Sequence, residues 1–393
     1  MIWLNFLHFY QPANIDSYEI KLALDKSYWR VIRLLEENPK FRLTINISGC
    51  LLERLFEMGE NDFIERLKKL VIEDRVELVG TAAYHALLPL VSEEEIKRQI
   101  SENEEILKKH FGQNFKPKGF FFPEMAYSAS AARVVKEFGY EYAILDEFSA
   151  IQIENFDRSK VYKDRISGLK IIFRDRDQSR AYPPDLIMKY LKEKDKHQND
   201  LLITATDGEL YGLRHEDPTG EIEKIAKLEN DVKTKTFSQF KEECLESEIK
   251  EVDLRPSSWE SSEKDLENGQ PFILWNNKKN KIHRDLWRLA NLALSLNDEY
   301  ENDENYYWYR WHLVRGLASC TFWWASANDF SSNFGPYAWS PDIVDRGLND
   351  LIRSVRSLSG KNSKQAKISA EKYYLKINKN LWREHWEKHW FGK

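Results

Sequence analysis

The sequence predicts a parallel α/β protein followed by a helical region, and three observations carry that reading. Apolar or β-branched runs at 2–8, 41–47, 75–80, 119–122, 141–145, 169–173 and 200–206 read as strands buried on both faces. Helical segments lie between them, the alternation that parallel strands require. From about residue 282 the strand pattern stops and only helical periodicity continues. Periodicity alone leaves two arrangements of the strands open, a barrel and a doubly wound sheet.

The elements follow in order. The opening run from Ile2 to His8 has no basic flank and no small-residue cleavage site, so it is expected to be a strand and not a leader peptide. Helical patterns cover 26–37, 51–72, 93–109, 130–138 and 184–194. Ser92 and Glu95 have capping-box spacing at the head of the third of these. A charged helical insertion is expected at about 216–250, and the Ser/Glu/Asn-rich stretch 255–270 reads as a loop. Helices are then expected at 284–296, 305–320, 341–358 and 364–378. The Pro/Gly/Asn-rich stretch 328–339 interrupts them and is a candidate active-site loop. The expected organisation is a catalytic domain over 1–275 and a helical domain over 276–393 that completes its cleft.

With 393 residues the chain can bury a large core. A net charge of -5 and the lack of a basic block argue against a nucleic-acid partner. No run approaches the ~20 apolar residues of a membrane span. Cys50, Cys244 and Cys320 are the three cysteines; none forms a CxxC pair, and their low count fits a reducing, cytoplasmic setting. The 13 tryptophans include Trp323-Trp324, flat rings of the kind that stack on sugar faces as well as in cores.

Two carboxylates stand at expected strand ends. Glu124 follows Phe120-Phe121-Phe122-Pro123, and Asp207 follows Ile203-Thr204-Ala205-Thr206. Strand ends are where parallel α/β folds carry their reactive groups, and a carboxylate pair is the minimum equipment for cleaving a glycosidic bond. Proline extends the segment before it, which aims Glu124 outward. Gly208 permits a tight turn or a close ligand approach after Asp207. Glu209, two residues on, shares the side of Asp207 in an extended backbone, so spacing does not decide which of the two is the acid. His8 and His85 fall at the same expected edge, and His283 opens the helical region. A metal site would have to draw on His8, His85 and Asp207, which have none of the spacings that mark zinc.

At these residues the chain resembles glycoside hydrolase family 57, whose members act on α-glucans. The family's first motif, His-Gln-Pro, is similar to His8-Phe9-Tyr10-Gln11-Pro12, where Gln-Pro is kept, Tyr10 takes the place of the His and His8 stands two residues earlier; its second is similar to Val76-Glu77-Leu78 followed by Tyr84-His85. The third resembles Gly119-Phe120-Phe121-Phe122-Pro123-Glu124 and the fourth Asp207-Gly208-Glu209-Leu210-Tyr211-Gly212. The fifth departs: in Ser319-Cys320-Thr321-Phe322-Trp323-Trp324 the aromatics are kept, and Thr321 stands where the family usually has Asp. The resemblance implies a seven-stranded (β/α) barrel followed by a C-terminal helical region. It implies a retaining glycoside hydrolase or transglycosylase of the α-amylase or 4-α-glucanotransferase type, with Glu124 as nucleophile and Asp207 as acid/base. Expected substrate contacts are His8, Gln11, Tyr84, His85, Glu209, Tyr211, His283, Trp323 and Trp324. No cofactor and no metal are expected, and the partner is an oligo- or polysaccharide. Two other readings stay open: a catalytically silent carbohydrate-binding homologue, and a metal-dependent deacetylase or mannosidase-like enzyme on a related barrel.

Overall fold

The computed structural model describes the chain apart from residues 152–155, 194–199, 327–337 and 391–393. It forms two compact units. The first comprises Met1–Gln11, Ile15–Ala83 and Leu88–Glu260; the second comprises Pro12–Asn14, Tyr84–Leu87 and Ser261–Lys393.

The strands of the first unit are β1 (Ile2–Phe9), β2 (Leu43–Ile47), β3 (Val76–Val79), β4 (Gly119–Phe120), β5 (Tyr142–Asp146), β6 (Tyr162–Asp164), β7 (Lys170–Arg174), β8 (Leu201–Asp207), β9 (Lys233–Thr234) and β10 (Lys250–Val252). The expected apolar runs hold β1–β5, β7 and β8. The short β6, β9 and β10 have too few residues to show a period.

The α/β class and the parallel pairing are as expected, but the strands do not join into a closed sheet. One sheet runs β3-β2-β1-β8, with β9 also on β1; the other runs β10-β6-β7-β5-β4. Pairing is parallel throughout except between β6 and β7. At one seam Gly80 bridges Phe120, with Gly80 N donating to Gly119 O at 2.9 Å and Phe121 N to Gly80 O at 2.8 Å. At the other seam Asp175 N donates to Ile203 O at 2.8 Å. Isolated backbone bonds thus join the strands at each seam. β4 runs into Pro123, which has no N–H to extend a ladder. Tyr140 and Tyr142 fill the space beside Gly80 and Gly119, where any Cβ would collide with their rings.

Strand alternation positions the site. In β1, Trp3, Leu7 and Phe9 join one apolar cluster, while Leu4 and Phe6 join another with Val79, Phe121, Ile144, Ile172, Ile203 and Ala205. With period 2, the second face continues as His8 on β1, Asp207 on β8, Arg174 on β7 and Asp146 on β5. Each is the last or next-to-last residue of its strand. The apolar rows of this face therefore end in polar side chains at one end of the strands.

The helices mostly match expectation, with some differences. The stretch 51–72 is two helices, Gly49–Glu57 and Asn61–Ile72, divided where Gly59 takes φ +79. The expected loop 255–270 contains the helix Glu263–Glu267, headed by a Ser262/Asp265 capping box. At Glu93–Phe111, Ser92 caps as expected, while the buried Glu95 turns its carboxylate to Gln99 Nε2 at 3.0 Å.

The second unit is helical: Lys281–Glu299, Tyr306–Gly316, Ser319–Trp323, Pro341–Ser357 and Lys364–Glu384. The pattern over 305–320 breaks after Gly316, because Ala318 pairs with Ala86 and Ser319 N donates to His85 O at 3.0 Å. Nearly all of the candidate loop 328–339 lies outside the described residues. No helix among the described residues is long and apolar enough to cross a membrane.

Candidate active site

Glu124 stands in a tight turn, Pro123–Met125, at the exit of β4. Its backbone takes φ 59 and Met125 takes φ 48, the left-handed region that costs a non-glycine residue roughly 1–2 kcal/mol. Neighbouring backbone holds the turn. Met125 N donates to Phe122 O at 2.7 Å, Trp259 N to Glu124 O at 3.1 Å and Tyr127 N to Ser257 O at 2.8 Å. The Glu124 carboxylate accepts a hydrogen bond from Trp259 Nε1, 2.9 Å from Oε2.

Asp207 ends β8 in register with His8 on β1. It is half-buried and bonded to the Arg214 guanidinium, whose side chain is largely exposed. Glu209 differs from it in every respect. It is buried, and one carboxylate oxygen accepts from Gln11 Nε2 at 2.7 Å and from the Tyr28 hydroxyl. Burial pushes its carboxyl up from the usual range; the Arg214 charge opposes this and the Asp207 charge adds to it. Geometry thus separates the two carboxylates that spacing left equivalent. Asp207 is presented to solvent, and Glu209 is an enclosed anchor for Gln11.

His8 lies between the two halves. Its ring is 4.6 Å from Phe121 and 6.1 Å from Trp259, centroid to centroid. Nδ1 is 2.8 Å from Asn46 Oδ1, and Asn46 Nδ2 points to Val79 O at 3.3 Å. With the amide oriented that way, His8 carries its proton on Nδ1. Burial pulls its pKa down to about 4 against the opposing charge of Asp207, so the ring is neutral near pH 7. Tyr211 is fully buried, and its hydroxyl meets Asn5 Nδ2 at 3.0 Å. Gly208 gives Phe9 its packing space, since a Cβ there would strike the Phe9 ring.

Sequence reasoning missed a polar group on the same face. Asp146 is fully buried between Arg174 and Arg176, at 2.9 Å from each. Arg174 also donates to Ala205 O at 2.9 Å and to Trp259 O at 3.2 Å, and lies 5.4 Å from the Trp259 ring centre. The signal was present: Asp146 and Arg174 close their apolar runs as Asp207 closes its own. Trp259 left no such signal, because it stands in a polar stretch without periodicity.

The second unit holds the remaining expected residues. His85 takes φ 58, and its Nδ1 is 2.9 Å from Ser319 Oγ. The Tyr84 ring lies 5.6 Å from the Arg315 guanidinium. His283 is fully buried: Nδ1 accepts from Asn277 N at 3.1 Å and Nε2 faces Phe322 O at 2.9 Å. Burial pulls its pKa down to about 4. It ties the start of helix Lys281–Glu299 to Ser319–Trp323, with both ring nitrogens engaged by backbone. Trp323 and Trp324 are half-buried and pack edge to face at 4.7 Å. Thr321 is buried against Gly347 on helix Pro341–Ser357. Among the described residues no group of three or more His, Cys, Asp or Glu is placed to hold a metal ion.

Carboxylates at the strand ends of a parallel α/β unit stand where such folds carry their reactive groups. The comparisons narrow this to a family. Residues 5–256 match Glycosyl hydrolase family 57, and the chain belongs to that family. An alpha-amylase of Pyrococcus horikoshii is 27% identical over 220 residues, 53% of this chain and 34% of that protein. A 1,4-alpha-glucan branching enzyme of Thermococcus kodakarensis is 38% identical over 147 residues, 34% of this chain and 21% of that protein. The chain thus spans about a third or less of the length of the curated relatives it matches. Among solved structures, a 4-alpha-glucanotransferase of Thermococcus litoralis superposes with TM-score 0.71 at 16% identity, covering 92% of this chain and 60% of that one. An alpha-amylase of Thermotoga maritima superposes with TM-score 0.68 at 16% identity, covering 97% of each chain. At such identity the superpositions speak for the fold.

Proposed function

We propose that this chain is a retaining glycoside hydrolase or transglycosylase acting on α-linked glucans. Glu124 attacks the anomeric carbon and forms a glycosyl-enzyme. Asp207 protonates the departing glycosidic oxygen, then takes a proton from the water or acceptor sugar that releases the glycosyl group. The observation that carries the reading is the environment of His8. It sits in register with Asp207 and touches Trp259, the residue bonded to Glu124. Membership of family 57 supports the substrate class, since relatives in it are named alpha-amylase, 4-alpha-glucanotransferase and branching enzyme.

Gln11 and His8 are assigned to substrate hydroxyls at the Asp207 side, with Glu209 fixing Gln11. Tyr84, His85, Trp323 and Trp324 are also assigned to sugar binding. The domain division proposed is 1–275 and 276–393, and a cytoplasmic location is proposed for the enzyme. The test is product analysis with maltooligosaccharides, amylose and pullulan, together with the anomeric configuration of the first-formed product. The expected outcome is shortened or redistributed glucans with the α-configuration kept. A β-configured first product would exclude the retaining route, and no turnover on any of these glucans would remove the substrate class.

A further inference from the structure

Trp259 is held from several sides. Its segment is fastened to the Glu124 turn at both ends of the contact, through Trp259 N to Glu124 O and Tyr127 N to Ser257 O. Its indole N–H meets Glu124 Oε2 at 2.9 Å. Its ring is held from another side by Arg174, 5.4 Å from the ring centre, which also donates to Trp259 O at 3.2 Å. Arg174 in turn is fixed by Asp146 and by Ala205 O on β8. Every link is buried or nearly so, with Trp259 at 8%, Arg174 at 4% and Asp146 at 0% exposure.

This arrangement is costly unless it does something. Desolvating a guanidinium and a carboxylate brings little net stability, and a well-packed apolar group does as well. An ionic pair can instead supply direction. A guanidinium against the indole face is attracted by the ring quadrupole and draws electron density from the ring, which makes the N–H a stronger donor. A donor fixed on one carboxylate oxygen sets the rotamer of the carboxylate and favours its charged form.

We infer that Trp259, clamped by the Asp146–Arg174 pair, is a positioning residue that orients the Glu124 carboxylate for attack. The inference rests on the role proposed for Glu124. It explains why a polar, aperiodic segment far along the chain returns to the turn at Glu124.

The test is Trp259→Phe, which keeps most of the ring and removes the N–H. The expected result, on glucans turned over by the wild type, is a fall in kcat of about tenfold to a hundredfold with KM within about threefold, as for loss of one oriented donor. The acidic limb of the kcat/KM profile moves to higher pH, because the charged carboxylate has lost a donor. Arg174→Lys keeps the charge, loses the fork, and shows the same shift at smaller size. An unchanged pH profile with a lowered melting temperature would mean that Trp259 only packs, and the inference falls. If Trp259→Phe does not fold, the wild-type indole N–H resonance of Trp259 decides. It moves upfield in Glu124→Ala if the bond exists, and an unmoved resonance overturns the inference. A wild type inactive on every glucan removes the proposed function instead, and the resonance still judges the contact.

Discussion

The two carboxylates are held in opposite ways. Glu124 lies in a turn of two left-handed non-glycine residues, pinned by backbone bonds and by an indole N–H backed by a buried ion pair. Asp207 simply ends a strand and pairs with Arg214, whose side chain is 59% exposed. One group is fixed; the other is tethered by an arm that solvent reaches. The difference suits the two tasks proposed for them. A nucleophile must meet a carbon at a set angle, and orientation is worth several kcal/mol in such a step. An acid/base must serve a leaving oxygen and then a water or sugar, so freedom to adjust is useful.

The largest expected effects test that division directly. Glu124→Ala lowers turnover by at least about three orders of magnitude on every substrate. With an activated aryl α-glycoside and azide, it regains activity and gives the glycosyl azide of inverted configuration. Asp207→Ala loses about 10²–10⁴-fold on glucans, much less on aryl glycosides, and gives the azide of retained configuration. Product configuration by NMR checks both, and exchanged outcomes would reverse the two roles.

The comparison extends to the buried histidines. His8 has the charge of Asp207 beside it, while both ring nitrogens of His283 meet backbone groups. Both pKa values fall to about 4 in the fold against an ordinary 6.5. A depressed pKa stabilises the fold above the unfolded value, and that stability drains as pH falls from about 6.5 through 4. Melting temperature is therefore expected to fall over this window, and His283→Gln to flatten the fall by its own share. An equally steep decline in the variant would count against a neutral buried His283.

The smallest effect belongs to Arg214. An ion pair with one exposed arm is worth ~0–1 kcal/mol, little enough for a bound sugar to displace. Arg214→Gln is expected to change kcat/KM by less than about fivefold. A loss comparable to that of Asp207→Ala would show that Asp207 is held as firmly as Glu124, and the contrast would fail.

The sequence by itself determined the alternation of strands and helices, the helical C-terminal region, and Glu124 and Asp207 as strand-end carboxylates. These are local facts: burial on two faces leaves continuous apolar runs, and a carboxylate closing such a run is visible in the one-dimensional order. The motifs were legible for the same reason, being short and continuous. What only the tertiary structure decided is how distant segments meet. Two sheets form instead of a closed one, with isolated backbone bonds joining the strands at the β3–β4 and β7–β8 seams. Tyr211 and His283 turn inward because partners 206 and 6 residues away receive their polar atoms. Trp259 reaches Glu124 across 135 residues of chain. Such contacts depend on the directions of several strands at once, and no residue's type or neighbours encode them.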